Sequence, residues 1–189
     1  MVGLALISLF CMINASAQDS KALLIDHGVY RTWYRPDLGI PERVEWLLCP
    51  YDLGKIKRDP SFRFRPEKSA PKPRVNAAMY TNSGYHRGHL CPAADRSSSK
   101  EAMMETFCLS NVCPMVPSVN TGAWKNTEIY ERQIAGWGYT SSLLACPLFF
   151  PQDTNWIGDH RVAVPHAFMK VITINGDPFF YKIFIVENK

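Results

Sequence analysis

Between Met169 and Val186 the chain carries two runs of strand-forming residues, Met169–Ile174 and Phe179–Val186, on either side of Asn175-Gly176. Asn-Gly is suited to the two positive-φ positions of a tight turn whose twist matches that of paired strands. This stretch is therefore predicted to fold back on itself as an antiparallel hairpin, which commits its part of the chain to a sheet. Other apolar and β-branched segments read as strands around Gly28–Tyr34, over Val44–Leu48 and, fully buried, over Leu143–Phe149. Tyr80–Leu90 leads through a glycine turn into a short strand. Helices are fewer. Ser97–Ser99 offer caps for a helix over Lys100–Thr106. Residues 121–136 place Ala123, Thr127, Tyr130, Ile134 and Trp137 on one face, with Gly136 and Gly138 available to end the helix. Cys108–Val119, with its two prolines, reads as irregular. The pattern is α+β: an antiparallel sheet core with flanking helices.

The length of 189 residues suits one domain with a real core, and an apolar content of 47% is ordinary for a globular chain. The first 17 residues stand apart. Val2–Phe10 is almost wholly apolar, no charged side chain occurs before Asp19, and the stretch ends Ala15-Ser16-Ala17. That reads as a secretory signal peptide over 1–17, too short to span a bilayer, followed by a domain over 18–189. The expectation is an exported protein, periplasmic or extracellular, with no stable membrane insertion after cleavage. Lys and Arg number 21 against 17 Asp and Glu, a net charge of +4 that fits a polyanionic ligand without requiring one. Cys49, Cys91, Cys108, Cys113 and Cys146 follow the leader, enough for two disulfides and a free thiol in an oxidising compartment. Residues 54–77 form a long, basic, proline-rich surface loop in which Phe62 and Phe64 interleave with charges. A solvated surface and a nucleic-acid-binding surface explain that loop equally well.

Three stretches carry chemistry: Tyr85-His86-Arg87-Gly88-His89-Leu90 with Asp95-Arg96; Thr106-Phe107 through Ser110-Asn111 to Pro114; and Asn120, Trp124, Glu128 and Arg132 at intervals of four. On a continuous helix that starts at Asn120, Glu128 and Arg132 lie at about 80° and about 120°, well away from the apolar face. An amide oxygen, a carboxylate and a guanidinium along one flank suit a hydrated cation and a phosphate. Each residue also has a plainer use. Asn120 is a good helix cap, Glu128 and Arg132 form an ordinary i, i+4 ion pair, and His86 reads as structural, facing away from His89 across a strand. His27, His160 and His166 have no partners in sequence. Cys108-x₄-Cys113 lacks the second close pair that a zinc site needs.

Taken together and in order, these blocks resemble the DNA/RNA non-specific endonucleases of the ββα-metal class. The family signature of Asp-Arg-Gly-His, Ser/Thr-Asn before a proline, and Asn-x-x-x-Trp-x-x-x-Glu is matched by His86-Arg87-Gly88-His89, Ser110-Asn111 with Pro114, and Asn120, Trp124 and Glu128. The resemblance runs from about Glu45-Trp46 to Val164-Pro165. It implies a ββα-metal motif and a metal-dependent endonuclease that hydrolyses DNA and RNA with little regard to sequence. It also implies roles. His89 is the general base. Asn120 is the direct protein ligand of Mg²⁺, with Mn²⁺ as the alternative metal. Glu128 holds the metal through a water, and Arg87 and Arg132 bind phosphate. His86 stands where the family has Asp, and Cys113 and Met115 are atypical beside Pro114. The chain stops sooner after its hairpin than the family does, so a C-terminally short domain is expected. The alternatives are a catalytically weak nucleic-acid-binding module on the same fold, and a disulfide-stapled interaction domain.

Overall fold

In a computed structural model of the protein, described here for residues 21–54, 56–150, 154–177 and 179–189, the hairpin predicted around Asn175-Gly176 forms, but its pairing begins only at Thr173 and Tyr181, so the connection is longer than the two-residue turn expected. Strand β9 (Ala167–Ile174) pairs antiparallel with β10 (Tyr181–Glu187), and Gly176 takes the positive φ of 90° that the turn requires. These are the last two strands of a six-stranded antiparallel sheet. Its others are β1 (Leu23–Asp26), β2 (Arg31–Arg35), β3 (Ile40–Leu48) and β6 (Ser141–Leu148), in the order β1-β2-β3-β6-β9-β10. Two small ribbons stand apart from it: β4 (His86–His89) with β5 (Val112–Met115), and β7 (Asn155–Ile157) with β8 (Val162–Val164). The helices are α1 (Lys100–Glu105), a short α2 (Pro117–Thr121) and α3 (Ala123–Gly136). The fold is α+β, as the sequence pattern requires.

The core lies between one face of the sheet and the layer formed by α3 and the β4–β5 ribbon. Alternate residues of β3, namely Val44, Trp46 and Leu48, point inward with Leu143, Ala145, Phe168 and Ile172. Trp124, Ile134 and Ala135 of α3 and Val112 and Met115 of β5 meet them. Burial of this apolar surface holds the catalytic-side layer against the sheet.

Several boundaries differ from those predicted. The single strand expected near Gly28–Tyr34 is a hairpin, β1 and β2, turning at residues 27–30. Cys108–Val119 is not irregular: Pro114 sits inside β5 and Pro117 opens α2, positions where a missing N–H does no harm. The predicted helix over 121–136 is α3, one piece that starts at Ala123 because Gly122 (φ −113°, ψ −104°) separates it from α2, which carries Asn120. The buried face of α3 is Trp124, Thr127, Glu131, Ile134 and Ala135, whereas Trp137, expected inside, is 68% exposed. Thr127 and Ile134 are buried as expected, but the reading left out Trp124 and Glu131, the latter a fully buried carboxylate that sits 2.8 Å from the equally buried Lys170 ammonium. All five cysteines from Cys49 onward are free thiols, so the expected disulfides and the disulfide-stapled alternative have no bridge to rest on among the described residues. The segment read as a signal peptide, 1–17, lies outside the described residues.

Candidate active site

The site is built on β4, β5 and α3. Their register pairs His86 with Met115, Arg87 with Pro114, Gly88 with Cys113 and His89 with Val112. Glycine is required at position 88 by packing: a Cβ there would come within 2.8 Å of the Met115 side chain. Met115 is fully buried against it, and so does not line the groove floor. The helix is tied to the ribbon through Trp124, whose indole N–H donates to the His89 carbonyl at 2.9 Å. Two antiparallel strands and a helix thus meet at His89, the ββα arrangement that the resemblance implies.

The His89 imidazole lies among aromatic rings, with centroids 5.1 Å from Phe64 and 5.0 Å from Phe107. Its Nε2 is enclosed and has no partner among the described residues, which leaves Nδ1 as the nitrogen free to face a reactant. Burial, reinforced by the Arg58 guanidinium, pushes its pKa down to about 3. The ring is therefore neutral at any ordinary working pH, the state a proton acceptor needs. Phe62 and Phe64 of the basic loop are consequently packing residues. Phe62 meets Phe107 edge-on at 5.5 Å and Phe64 meets it at 5.1 Å, so neither offers a free stacking face to a base.

Arg87 is half-buried. Its Nη2 donates to the Ala77 carbonyl at 2.8 Å, its guanidinium lies 5.6 Å from the Phe64 centroid, and its enclosed Nε has no partner. Asn120 sits near the end of α2, not at the start of the long helix, so the helix N-terminus expected to favour anions does not act at its position. Its carboxamide Nδ2 lies 3.2 Å from Nδ1 of His86. The amide N–H donates, which fixes His86 there as the Nε2–H tautomer and leaves Asn120 Oδ1 without a protein partner among the described residues. His86, read as structural, thus takes a place beside the candidate metal ligand.

Glu128 and Arg132 lie one turn apart on α3, yet the ion pair expected between them is not the one formed. Arg132 Nη1 donates to Asp95 Oδ1 at 2.9 Å, while Asp95 Oδ2 accepts from the Trp46 indole at 3.0 Å. Glu128 is left free among the described residues, and burial raises its pKa to about 7 against the opposing pull of Lys170 and Arg132. Arg96 is a structural cation. It donates to the Leu47 carbonyl at 2.6 Å and pairs with Asp52 at 3.2 Å. Asn111 is structural too: its side chain bonds the Cys91 N–H, the Cys91 carbonyl and the Thr106 carbonyl, clamping the end of β4 to the segment before β5. Sequence reading singled out Asp95 but not its partners Arg132 and Trp46, and it missed Glu131 and Lys170 as supports of this site, because each partner is supplied by a distant element.

The donor set fits a hard, hydrated divalent cation. Among the described residues Asn120 supplies a neutral oxygen without a protein partner and Glu128 a carboxylate without one.

Comparison with known proteins agrees with this geometry. The family model described as DNA/RNA non-specific endonuclease matches residues 11–186. A protein named Nuclease from Nostoc sp. is 32% identical over 79% of this chain and 53% of its own length. The mitochondrial nuclease EXOG of Danio rerio is 37% identical over 71% of this chain and 42% of its own length. The chain thus spans about half the length of the relatives it matches. In a solved structure of an EndoG/EndoGI complex, one chain superposes with a TM-score of 0.79 at 26% identity, covering 88% of this chain and 74% of that one. One expectation is corrected by these relatives. EXOG and the matched endonuclease G proteins are named as mitochondrial, which conflicts with a protein exported to the periplasm or the medium.

Proposed function

The chain belongs to the DNA/RNA non-specific endonuclease family, and from that premise we propose that it hydrolyses phosphodiester bonds of both DNA and RNA with Mg²⁺, or Mn²⁺ in its place, residues 18–189 being the nuclease domain. The observation that carries this reading is the ββα junction at His89, the last residue of β4, whose carbonyl accepts from the Trp124 indole of the helix that bears Glu128 and Arg132. His89 Nδ1 takes the proton of a water molecule as that water attacks phosphorus. The bond to the 3′ oxygen breaks, that oxygen takes a proton from solvent water, and His89 later returns its own proton to solvent, leaving a 5′-phosphate on one product and a 3′-hydroxyl on the other. Asn120 Oδ1 would hold the metal directly and Glu128 would hold it through a water. When bound, the metal offsets charge on the phosphate and the leaving oxygen. His86 orients the Asn120 carboxamide so that its oxygen is the free end. Arg132, fixed by Asp95, and Arg87, fixed by Ala77, present guanidinium N–H groups to phosphate oxygens. Cleavage of plasmid DNA and of single-stranded RNA, with end-group analysis of the products, tests this reading. Both substrates should yield 5′-phosphates, and a folded chain that cuts neither overturns it.

The pH dependence follows from the two shifted groups. Glu128 titrates at about 7, above the ordinary carboxylate value, so the ionised form needed to hold a metal-bound water appears only as pH rises through 7. His89 titrates at about 3 and adds no limb in this range. With metal well below saturation, kcat/KM is predicted to climb with pH up to about 7 and then level. Glu128→Gln should remove the limb and lower the plateau about 10- to 100-fold. A limb that persists in this variant would assign it to another group.

A further inference from the structure

We infer that His27, Glu67 and Cys108 form a structural zinc site, separate from the nuclease centre. One ligand comes from the turn between β1 and β2, one from the long basic loop and one from the segment just before β5. Their side chains are 9%, 6% and 3% exposed, and one ligand atom of each lies within 4.8 Å of the other two. The Ser110 hydroxyl stands at a fourth corner. The measured edges of this figure are 2.8 Å from Ser110 Oγ to Glu67 Oε2, 3.1 Å from Cys108 Sγ to Glu67 Oε2, 3.1 Å from His27 Nε2 to Ser110 Oγ and 3.3 Å from His27 Nε2 to Glu67 Oε2. Zinc bonds of about 2.0–2.3 Å define a tetrahedron with edges of about 3.3–3.8 Å, so these four edges would widen by up to about half an ångström to admit an ion.

Charge and ligand type agree with that geometry. A carboxylate and a thiolate neutralise a divalent ion, and neutrality is what a buried site demands. Binding releases the thiol proton to solvent, while the imidazole and the hydroxyl bind as neutral groups. Sulfur and nitrogen donors favour zinc over the magnesium that suits Asn120. The remaining ring nitrogen of His27 is also placed as metal sites place it, with Nδ1 lying 3.4 Å from Glu105 Oε2. Glu105 is held in turn by Arg65 at 2.7 Å, and the His27 ring stacks on Tyr30 at 4.4 Å. Zinc here would pin the basic loop, and with it Phe64, to the segment that carries Phe107. Those are the two rings that enclose His89.

The full chain, purified from zinc-supplemented culture and desalted, is predicted to carry about one zinc per chain. Replacing the zinc with cobalt should give a thiolate-to-cobalt charge-transfer band in the near ultraviolet. His89→Ala should keep both the zinc and the band. Cys108→Ser, which preserves a hydrogen-bond donor to Glu67, should lose the band, and His27→Gln should lose retained zinc. Failure of the nuclease reading would leave these spectra unchanged. A folded wild-type chain that retains no zinc and develops no cobalt band overturns the site and leaves the cluster as a hydrogen-bonded knot around Glu67. A band that survives Cys108→Ser overturns it equally.

Discussion

Replacing His89 with alanine is expected to lower turnover of phosphodiester hydrolysis about 10²- to 10⁴-fold, the range that general-base catalysis supplies, while the chain stays folded and still binds DNA. The physical case rests on what the ring does and does not hold. Its carbonyl, not its imidazole, anchors Trp124, so the link between β4 and α3 survives truncation of the side chain. The imidazole makes no hydrogen bond among the described residues and contributes only packing against Phe64 and Phe107. Loss of activity together with a native circular dichroism spectrum and unchanged DNA affinity is therefore the expected signature. Added imidazole should restore part of the rate, because the vacated space between two rings accepts a ring of the same shape. If turnover falls less than tenfold, His89 is not the base.

The second large effect is on stability. Lys170 and Glu131 form an ion pair at 2.8 Å with both side chains fully buried, and the Lys170 ammonium lies 4.6 Å from the Trp124 ring centroid. The pair joins β9 to α3, the helix that carries Glu128 and Arg132. Lys170→Met leaves a carboxylate with neither water nor partner, and breaking a buried pair in this way costs about 3–5 kcal/mol. For a chain of this size that corresponds to a fall in melting temperature of about 6–20 °C. Burial already drives the Glu131 pKa upward, so in the single variant the carboxyl takes a proton and part of the cost is recovered at low pH. The double change Glu131→Leu with Lys170→Met should be far less harmful than the single one, since an apolar pair of similar volume needs no desolvation. Thermal unfolding of the wild type and the two variants measures this, and a single variant as stable as the wild type would show that the pair is not needed.

What the sequence made legible was local. The Asn175-Gly176 hairpin, the cap at Ser99, the strand of continuous apolar residues after Leu143 and the ordered motif residues all declare themselves within a few positions. What escaped depended on distant partners. Nothing near Glu131 says that Lys170 will neutralise it, so a period-based reading found Thr127 and Ile134 on the buried face of α3 but left Glu131 out of it. Arg132 finds Asp95, 37 positions away, in place of Glu128 one turn away. Phe62 and Phe64 looked like stacking residues in a basic loop because Phe107, which buries them, lies on another segment. His27 had no neighbour in sequence, yet Ser110 is 83 positions away and bonded to it. Gly122 could have warned that the long helix starts after Asn120, since glycine inside a helical pattern marks a break.

The proposed mechanism divides the residues of this site between support and chemistry. Asn111, Trp124, Asp95, Arg96 and Gly88 are motif or near-motif residues whose hydrogen bonds or packing hold the ββα unit together. His89, Asn120, Glu128 and, in part, Arg87 have polar atoms left over after those bonds are made. Those spare atoms are where a reaction can be carried out.

Plasmid nicking by the purified chain, with Mg²⁺ supplied, removed by EDTA and restored, tests the central claim most directly. Supercoiled DNA should pass to nicked and linear forms with metal present, stop with chelator and resume when Mg²⁺ is returned, with His89→Ala inert throughout. A folded chain that leaves the plasmid intact, or cutting that continues unchanged in EDTA, would contradict it.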